Sequence, residues 1–256
     1  MKAKPVLRHY GAKWTIAKWV VSHLPEHRIY VEPFCGSAAV LFTKPRSFIE
    51  VINDMDGEIV EMFRVLRKKP FELAALIWAT PYSPSSCELE LRRLERAASF
   101  IAKSAMVYVG DANTSTFSLD KSGASHKPKP AVWRDWAERV FPAAERLRGV
   151  QILNECALSV IERFRDNPDA LIYLDPPYHK HENEFRFGVD YARMRDLCEG
   201  AKAKIMVSEY PSASHLWAGW RTEQTEYVGR GRTGQNGAQR ASKKNTEILF
   251  MNWGRP

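Results

Sequence analysis

The stretch Leu171-Ile172-Tyr173-Leu174-Asp175-Pro176-Pro177-Tyr178 constrains the fold of this chain more than any other. Its first four residues are apolar and rich in β-formers, which predicts a buried strand. That strand has to stop at Pro176, because two successive prolines remove two backbone donors and fix φ. A stiff turn therefore stands at the carboxyl end of a strand, the place where open α/β sheets bind ligands. On it Asp175 presents a carboxylate, the Pro176 carbonyl meets no competing local N–H, and Tyr178 offers a flat ring. An acceptor pair beside an aromatic platform suits a planar ligand with an amino group, such as a nucleobase. An ordinary strand-ending turn would look the same, so the rest of the chain has to decide.

Upstream, Ile29 to Leu41 reads as a short strand, a tight turn through Gly36 and a helix of small residues. Small residues let a helix pack close to a sheet, and such a turn leaves N–H groups at the helix start. Glu32 on that turn is placed to take hydroxyls or an ammonium. The next strand, Phe48 to Ile52, ends in Asn53-Asp54, and an acid there is where nucleotide-type sites read ribose hydroxyls. The two features together point to a nucleoside-containing cofactor. Ahead of them, Tyr10-Gly11-Ala12-Lys13-Trp14 sets a cation between two aromatics, before a helix predicted from about Thr15 to Leu24.

Asp56 to Lys69 is an amphipathic helix with Ile59, Met62, Phe63 and Leu66 on one stripe. At Lys69-Pro70 the character changes. A short apolar helix (Phe71 to Trp78), a breaker cluster (Thr80 to Ser86) and a long helix with one charged face (Cys87 to Val109) follow. Asp111 to Pro130 is polar, with Lys121, Lys127 and Lys129, and reads as a surface or binding loop; Ala131 to Leu147 is another helix. Strand and helix alternate again from Gly149-Val150-Gln151-Ile152-Leu153-Asn154, with a helix from Leu158 to Phe164 before the opening strand. Beyond Tyr178 come a polar loop, a helix from about Tyr191 to Glu199, a strand from Lys204 to Ser208, and a hairpin of Glu223 to Val228 with Glu247 to Met251.

Composition decides what kind of partner such a fold meets. A formal charge of +8 and a pI near 9.3 favour a polyanion. Between Tyr227 and Thr246 there is no acid, while Arg230, Arg232, Arg240, Lys243 and Lys244 are joined by Gly231, Gly234 and Gly237, a pattern that suits phosphate contact. Cys35, Cys87, Cys156 and Cys198 are scattered, which argues against zinc or a disulfide framework and fits a reducing cytoplasm. No apolar run approaches a membrane span, and the start lacks a signal-peptide core, so a cytoplasmic protein with no membrane partner is expected.

Glu32-Pro33-Phe34-Cys35-Gly36-Ser37, Asp54 and Asp175-Pro176-Pro177-Tyr178, in this order, resemble the DNA adenine-N6 methyltransferases of the Dam-like group. Tyr10 to Lys18 is similar to that family's extra N-terminal cofactor motif, with Ala12 in place of a glycine. The resemblance implies an α/β, Rossmann-like methyltransferase fold: a mainly parallel seven-stranded sheet with helices on both faces. It implies a catalytic domain over 1–68 and 150–256, and a mostly helical target-recognition domain inserted at 69–149, where the composition shifts. It implies S-adenosyl-L-methionine as methyl donor, held by Tyr10, Lys13, Trp14, Glu32, Pro33, Phe34, Gly36, Ser37, Asp54, Glu155, Cys156 and Asp175. Asp175, Pro176, Pro177 and Tyr178 form the catalytic motif. The family often carries an acid where Cys156 stands, so either Glu155 substitutes or that contact is missing.

Double-stranded DNA is then the substrate, with Lys127, Lys129, Arg230, Arg232, Arg240 and Lys243 as candidate DNA contacts. A cognate restriction endonuclease is an admissible partner, and a monomer the expected state. The same motifs leave cytosine N4 open as target, and also a catalytically silent DNA-binding protein of the same fold.

Overall fold

The structure, a computed structural model, describes residues 4–7, 11–83, 93–111, 114–117, 128–177, 188–228 and 244–254. The first part of the chain forms α1 (Ala17–Ser22), β1 (Ile29–Glu32), α2 (Ala39–Thr43), β2 (Ile49–Asn53) and α3 (Gly57–Lys68). The middle part forms α4 (Pro70–Ala79), α5 (Arg93–Met106), β3 (Val107–Asp111), β4 (Thr114–Phe117), α6 (Lys129–Arg134) and α7 (Val140–Arg146). The last part forms β5 (Gln151–Leu153), α8 (Ala157–Phe164), β6 (Ala170–Leu174), α9 (Tyr191–Cys198), β7 (Lys204–Glu209), β8 (Arg221–Val228) and β9 (Lys244–Met251).

Seven strands make one sheet in the order β5-β2-β1-β6-β7-β9-β8. The first five are parallel, and β9 runs antiparallel to both β7 and β8. This is the mainly parallel seven-stranded sheet that the resemblance implies. The apolar run of β6 explains its central place: Leu171 and Tyr173 enter one core, Ile172 and Leu174 the other. A strand buried on both faces has no use for a polar alternation. Helices α3 to α7 cover one face; α8 and α9 cover the other.

β1 and β6 are neighbours, yet the chain leaves β1 towards β2 on one side and β6 towards β7 on the other. Their connections part at this point, which opens a crevice at the carboxyl ends of the strands.

The middle segment packs into the sheet's own core. Leu73, Ile77, Ile101, Trp136 and Val140 belong to the same buried cluster as Tyr30, Ile52 and Phe63. Trp136 Nε1 donates to the Val6 carbonyl at 2.7 Å, and Arg139 to the Pro5 carbonyl at 2.9 Å, so the N-terminal segment lies against it as well.

Two elements depart from the sequence expectations. Val107 to Val109 do not extend α5; they begin β3, which pairs antiparallel with β4 inside the stretch expected to be a polar loop. The β propensity of the Val107-Tyr108-Val109 run, together with the β3–β4 ladder, wins over one more helical turn there. The helix expected over Ala131 to Leu147 is broken into α6, a 3-10 turn Ala137–Arg139, and α7. Pro142 lacks an N–H and is tolerated only in a first helical turn, so the helix restarts at Val140. Among the described residues no helix is long and apolar enough to cross a membrane.

Candidate active site

A cavity of about 220 Å³ fills the crevice. Its walls come from the loops that follow β1, β2, β5 and β6, together with Gly11 to Lys13 and the Gly188 to Asp190 segment before α9. Two asparagines hold those loops in register. Buried Asn53 donates to the carbonyls of Pro33 and Glu155 and accepts from the Glu155 N–H, which joins the loops after β1, β2 and β5. Asn154 donates to the Asp54 and Met55 carbonyls.

The loop after β1 turns tightly because Gly36 and Ala38 both take positive φ, 46° and 52°. For an L-residue such as Ala38 this costs about 1 kcal/mol, which the fully buried setting of its methyl offsets. The N–H groups expected to be available at this turn are largely engaged within the fold. Cys35 donates to Asn53 O, Ala38 to Cys35 O, and Gly36 to Asp54 Oδ2 at 2.8 Å. Asp54 also accepts the Asp56 N–H through Oδ1 at 2.9 Å. It thereby braces two loops at the cavity wall.

Glu32 ends β1 and is buried against the cavity. Burial pushes its carboxyl up to about 8, against the pull of the Tyr30 hydroxyl, which donates to Oε2 at 2.9 Å. Across the cavity, Asp175 stands on the Asp-Pro-Pro turn with the Lys13 ammonium 2.6 Å away. Burial raises Asp175 to about 7; Lys13 works the other way and Glu247 reinforces the rise. Lys13 in turn lies 3.6 Å from Glu247 Oε1, which accepts from Ser208 Oγ at 2.6 Å. Burial disfavours the ammonium, but the two carboxylates outweigh it and hold Lys13 protonated well above its ordinary range.

Of the residues singled out from the sequence, Lys13, Glu32, Phe34, Gly36, Ser37, Asp54, Cys156, Asp175, Pro176 and Pro177 line the one cavity. Four others sit elsewhere. Trp14 stacks on Phe42 at 6.0 Å and joins the core. Pro33 is buried beneath the loop and lends only its carbonyl, to Asn53. Glu155 turns outward to Arg163 at 2.6 Å, so Cys156 holds the cavity position after β5. Lys129 opens α6, half-buried beside Tyr82 and Trp133. Tyr10, Tyr178, Lys127, Arg230, Arg232, Arg240 and Lys243 lie outside the described residues.

Sequence reading passed over Glu247, Glu209 and Tyr191, which the fold gathers around the Asp-Pro-Pro turn. A signal was present for two of them. Glu247 and Glu209 are fully buried carboxylates next to the apolar runs Ile248 to Met251 and Ile205 to Val207, where an acid needs a buried partner to be tolerated.

A doubly wound parallel sheet closed by an antiparallel hairpin, with its cavity at the strand crossover point, defines a Rossmann-like methyltransferase fold. Residues 9–104 match the family model described as D12 class N6 adenine-specific DNA methyltransferase. Two curated relatives are the DNA adenine methylases of Vibrio cholerae O1, from the Classical Ogawa and El Tor Inaba strains. Each is 25% identical over 279 aligned positions, covering 98% of this chain and 96% of the relative. Among solved structures, the precorrin-8w decarboxylase of Methanobacterium thermoautotrophicum superposes with a TM-score of 0.43 at 10% identity, covering 97% of this chain and 94% of its own. A SAM-dependent methyltransferase of Agrobacterium tumefaciens gives 0.40 at 12%, covering 96% and 64%.

Proposed function

We propose that this protein is a DNA methyltransferase that uses S-adenosyl-L-methionine to methylate the N6 amino group of adenine in double-stranded DNA. The observation that carries the reading is that the Glu32 to Ser37 loop, Asp54 and the Asp175-Pro176-Pro177 turn line one cavity. The cavity residues suit the donor. Glu32 offers a carboxylate for a cationic group, Asp54 a carboxylate at the cavity wall for hydroxyls, and Phe34, Val40, Ile59 and Leu158 supply apolar walls. When bound, S-adenosyl-L-methionine supplies an electrophilic methyl group.

The chain's own residues supply the positioning. An adenine amine is a poor nucleophile, because its lone pair conjugates with the ring. Hydrogen bonds from its two N–H groups to Asp175 and the Pro176 carbonyl hold it with the lone pair aimed into the cavity. Orientation of this kind is worth up to about 7–11 kcal/mol. Lys13 fixes the Asp175 carboxylate while this happens. Methylation leaves the nitrogen positively charged, and Asp175, with its carboxyl near 7, takes the departing proton. The base must leave the duplex to reach Asp175, at a cost of a few kcal/mol, and stacking on Tyr178 returns roughly 1–3 kcal/mol.

The same reading includes Lys127, Lys129 and the basic run from Arg230 to Lys243 as phosphate contacts, and residues 69–149 as the part that selects the target. The reading takes the protein as a monomer acting on DNA in the cytoplasm, and a cognate endonuclease is compatible with it. Labelled S-adenosyl-L-methionine and mixed-sequence DNA, followed by mass spectrometry of the nucleosides, test the reading. N6-methyladenine is expected. N4-methylcytosine would move the target to cytosine, and bound cofactor with no product would make the protein a silent DNA binder.

A further inference from the structure

Tyr191 opens α9 directly after the Gly188 to Asp190 segment of the cavity wall, and Glu209 ends β7, the strand beside β6. The Tyr191 hydroxyl oxygen lies 2.6 Å from the Pro177 carbonyl oxygen and 2.7 Å from Glu209 Oε1. Both are ordinary hydrogen-bond distances between oxygens. A phenol, however, carries a single proton, and a carbonyl carries none. Two such contacts need two protons, so the second belongs to Glu209. Its other oxygen, Oε2, accepts the Tyr210 N–H at 2.7 Å and is thereby fixed as the acceptor. Oε1 is then the hydroxyl oxygen of a carboxylic acid, on a side chain with no exposure at all.

We propose that a neutral Glu209 donates to Tyr191, which donates to the Pro177 carbonyl, and that this two-proton relay makes Tyr191 and Glu209 positioning residues for the Asp-Pro-Pro turn. The Pro177 carbonyl belongs to the peptide that leads into Tyr178, so fixing it sets the direction in which the chain leaves the turn. It also ties the turn to the wall segment before α9, closing the cavity from two sides. A neutral Glu209 adds no anion to the cluster of Asp175, Lys13 and Glu247. The proposal rests on the methyltransferase reading for its catalytic consequence, while the proton count stands on the distances alone.

The test uses the full chain with Glu209→Gln, Glu209→Ala and Tyr191→Phe. Glutamine reproduces the acid form: its Nε2–H donates to Tyr191 while its oxygen accepts from Tyr210. Glu209→Gln is therefore expected to keep the wild-type kcat, and Tyr191→Phe to lower kcat by about tenfold, the worth of one hydrogen bond, with KM for DNA and the Kd for the donor unchanged. Glu209→Ala should fall at least as far as Tyr191→Phe. The difference infrared spectrum of wild type minus Glu209→Gln, taken at neutral pH without DNA or donor, should show the carbonyl band of a protonated acid. A carboxylate pair of bands in its place overturns the relay, and so does a Glu209→Gln variant as slow as Tyr191→Phe. A wild type that methylates no DNA would count against the function, and the infrared spectrum would still judge the relay.

Discussion

Lys13 and Trp14 are adjacent in sequence and part company in space: Lys13 reaches Asp175, and Trp14 turns into the core against Phe42. Reading both as cofactor contacts missed this, because a 3-10 turn sends successive side chains to different sides. The Lys13–Asp175 pair sets the pH response of the site. Asp175 has to be ionised to accept an amine proton, and its carboxyl titrates near 7. kcat/KM should therefore rise with pH through a limb near 7. Lys13→Met removes the ammonium that lowers Asp175, so the limb should move to higher pH. A limb left in place would mean that another group titrates. Asp175→Asn should cost on the order of 10³-fold in kcat and leave the Kd for S-adenosyl-L-methionine within a few-fold, as equilibrium binding would check.

Glu32 titrates near 8 against an ordinary 4.5, so the folded protein holds a proton there at neutral pH that the unfolded chain lacks. The associated stabilisation is present below about 4.5 and is lost as pH rises through about 8. A cationic ligand beside Glu32 favours the ionised form. Binding of the donor at pH 7 should thus release close to one proton, and affinity should climb with pH until about 8. Calorimetry in buffers of different ionisation heat measures the release directly. Glu32→Gln should abolish it.

Among the elements, α7 is joined to β2 by one buried network. Arg146 grips Glu50 with both of its terminal nitrogens, and Lys44 reaches the same carboxylate at 2.7 Å. Burial alone would raise Glu50, but Arg146 and Lys44 bring it down to about 2. Its folded value lies below the unfolded one, so its contribution is present above about 4.5 and is lost as pH falls towards 2. Arg146→Ala leaves a buried carboxylate with half its partners and should destabilise the protein by about 3–5 kcal/mol in urea unfolding. A loss below about 1 kcal/mol would mean that water replaces the arginine. The elements themselves were legible wherever local pattern and tertiary packing agree. Six strands of the main sheet were readable from runs with apolar β-formers ended by Pro or Asn, and the polar β8 as the hairpin partner of β9. The β3–β4 hairpin was not: Val107 to Val109 continue the apolar spacing of α5, and their partners, Thr114 to Phe117, are mostly hydroxyl residues with no alternation. The 3-10 turn Pro211–Trp217 was not legible either, since its order comes from burying Ala213 and Trp217 rather than from any helical period.

At the scale of the molecule, the composition shift at Lys69-Pro70 marks where the chain leaves the sheet pattern, but it does not mark a separable core. Leu73, Ile77, Ile101, Trp136, Val140 and Leu147 pack in the same cluster as the sheet residues Tyr30, Ile52 and Leu171. A sequence shows which residues are apolar and where the pattern breaks; it does not show whether an insert buries its apolar face on itself or on its host. Here the host's α3 face takes it, with α3 and α5 in direct contact. The consequence is energetic. Each of those six side chains contributes about 1.5–3 kcal/mol by burial, so removing them all forfeits an amount comparable with the 5–15 kcal/mol that holds a typical domain folded. Replacing residues 70–148 by a short Gly/Ser linker should accordingly give an unfolded or aggregating chain without cooperative thermal unfolding, although every residue of the cavity wall is retained. An autonomous insert predicts the opposite: a soluble remainder that melts cooperatively and still binds S-adenosyl-L-methionine. Circular dichroism and calorimetry on the deletion separate the two. If the remainder unfolds, target choice has to be dissected by point changes on exposed residues of 69–149, because in this architecture the segment that would select the sequence also holds up one face of the sheet that would methylate it.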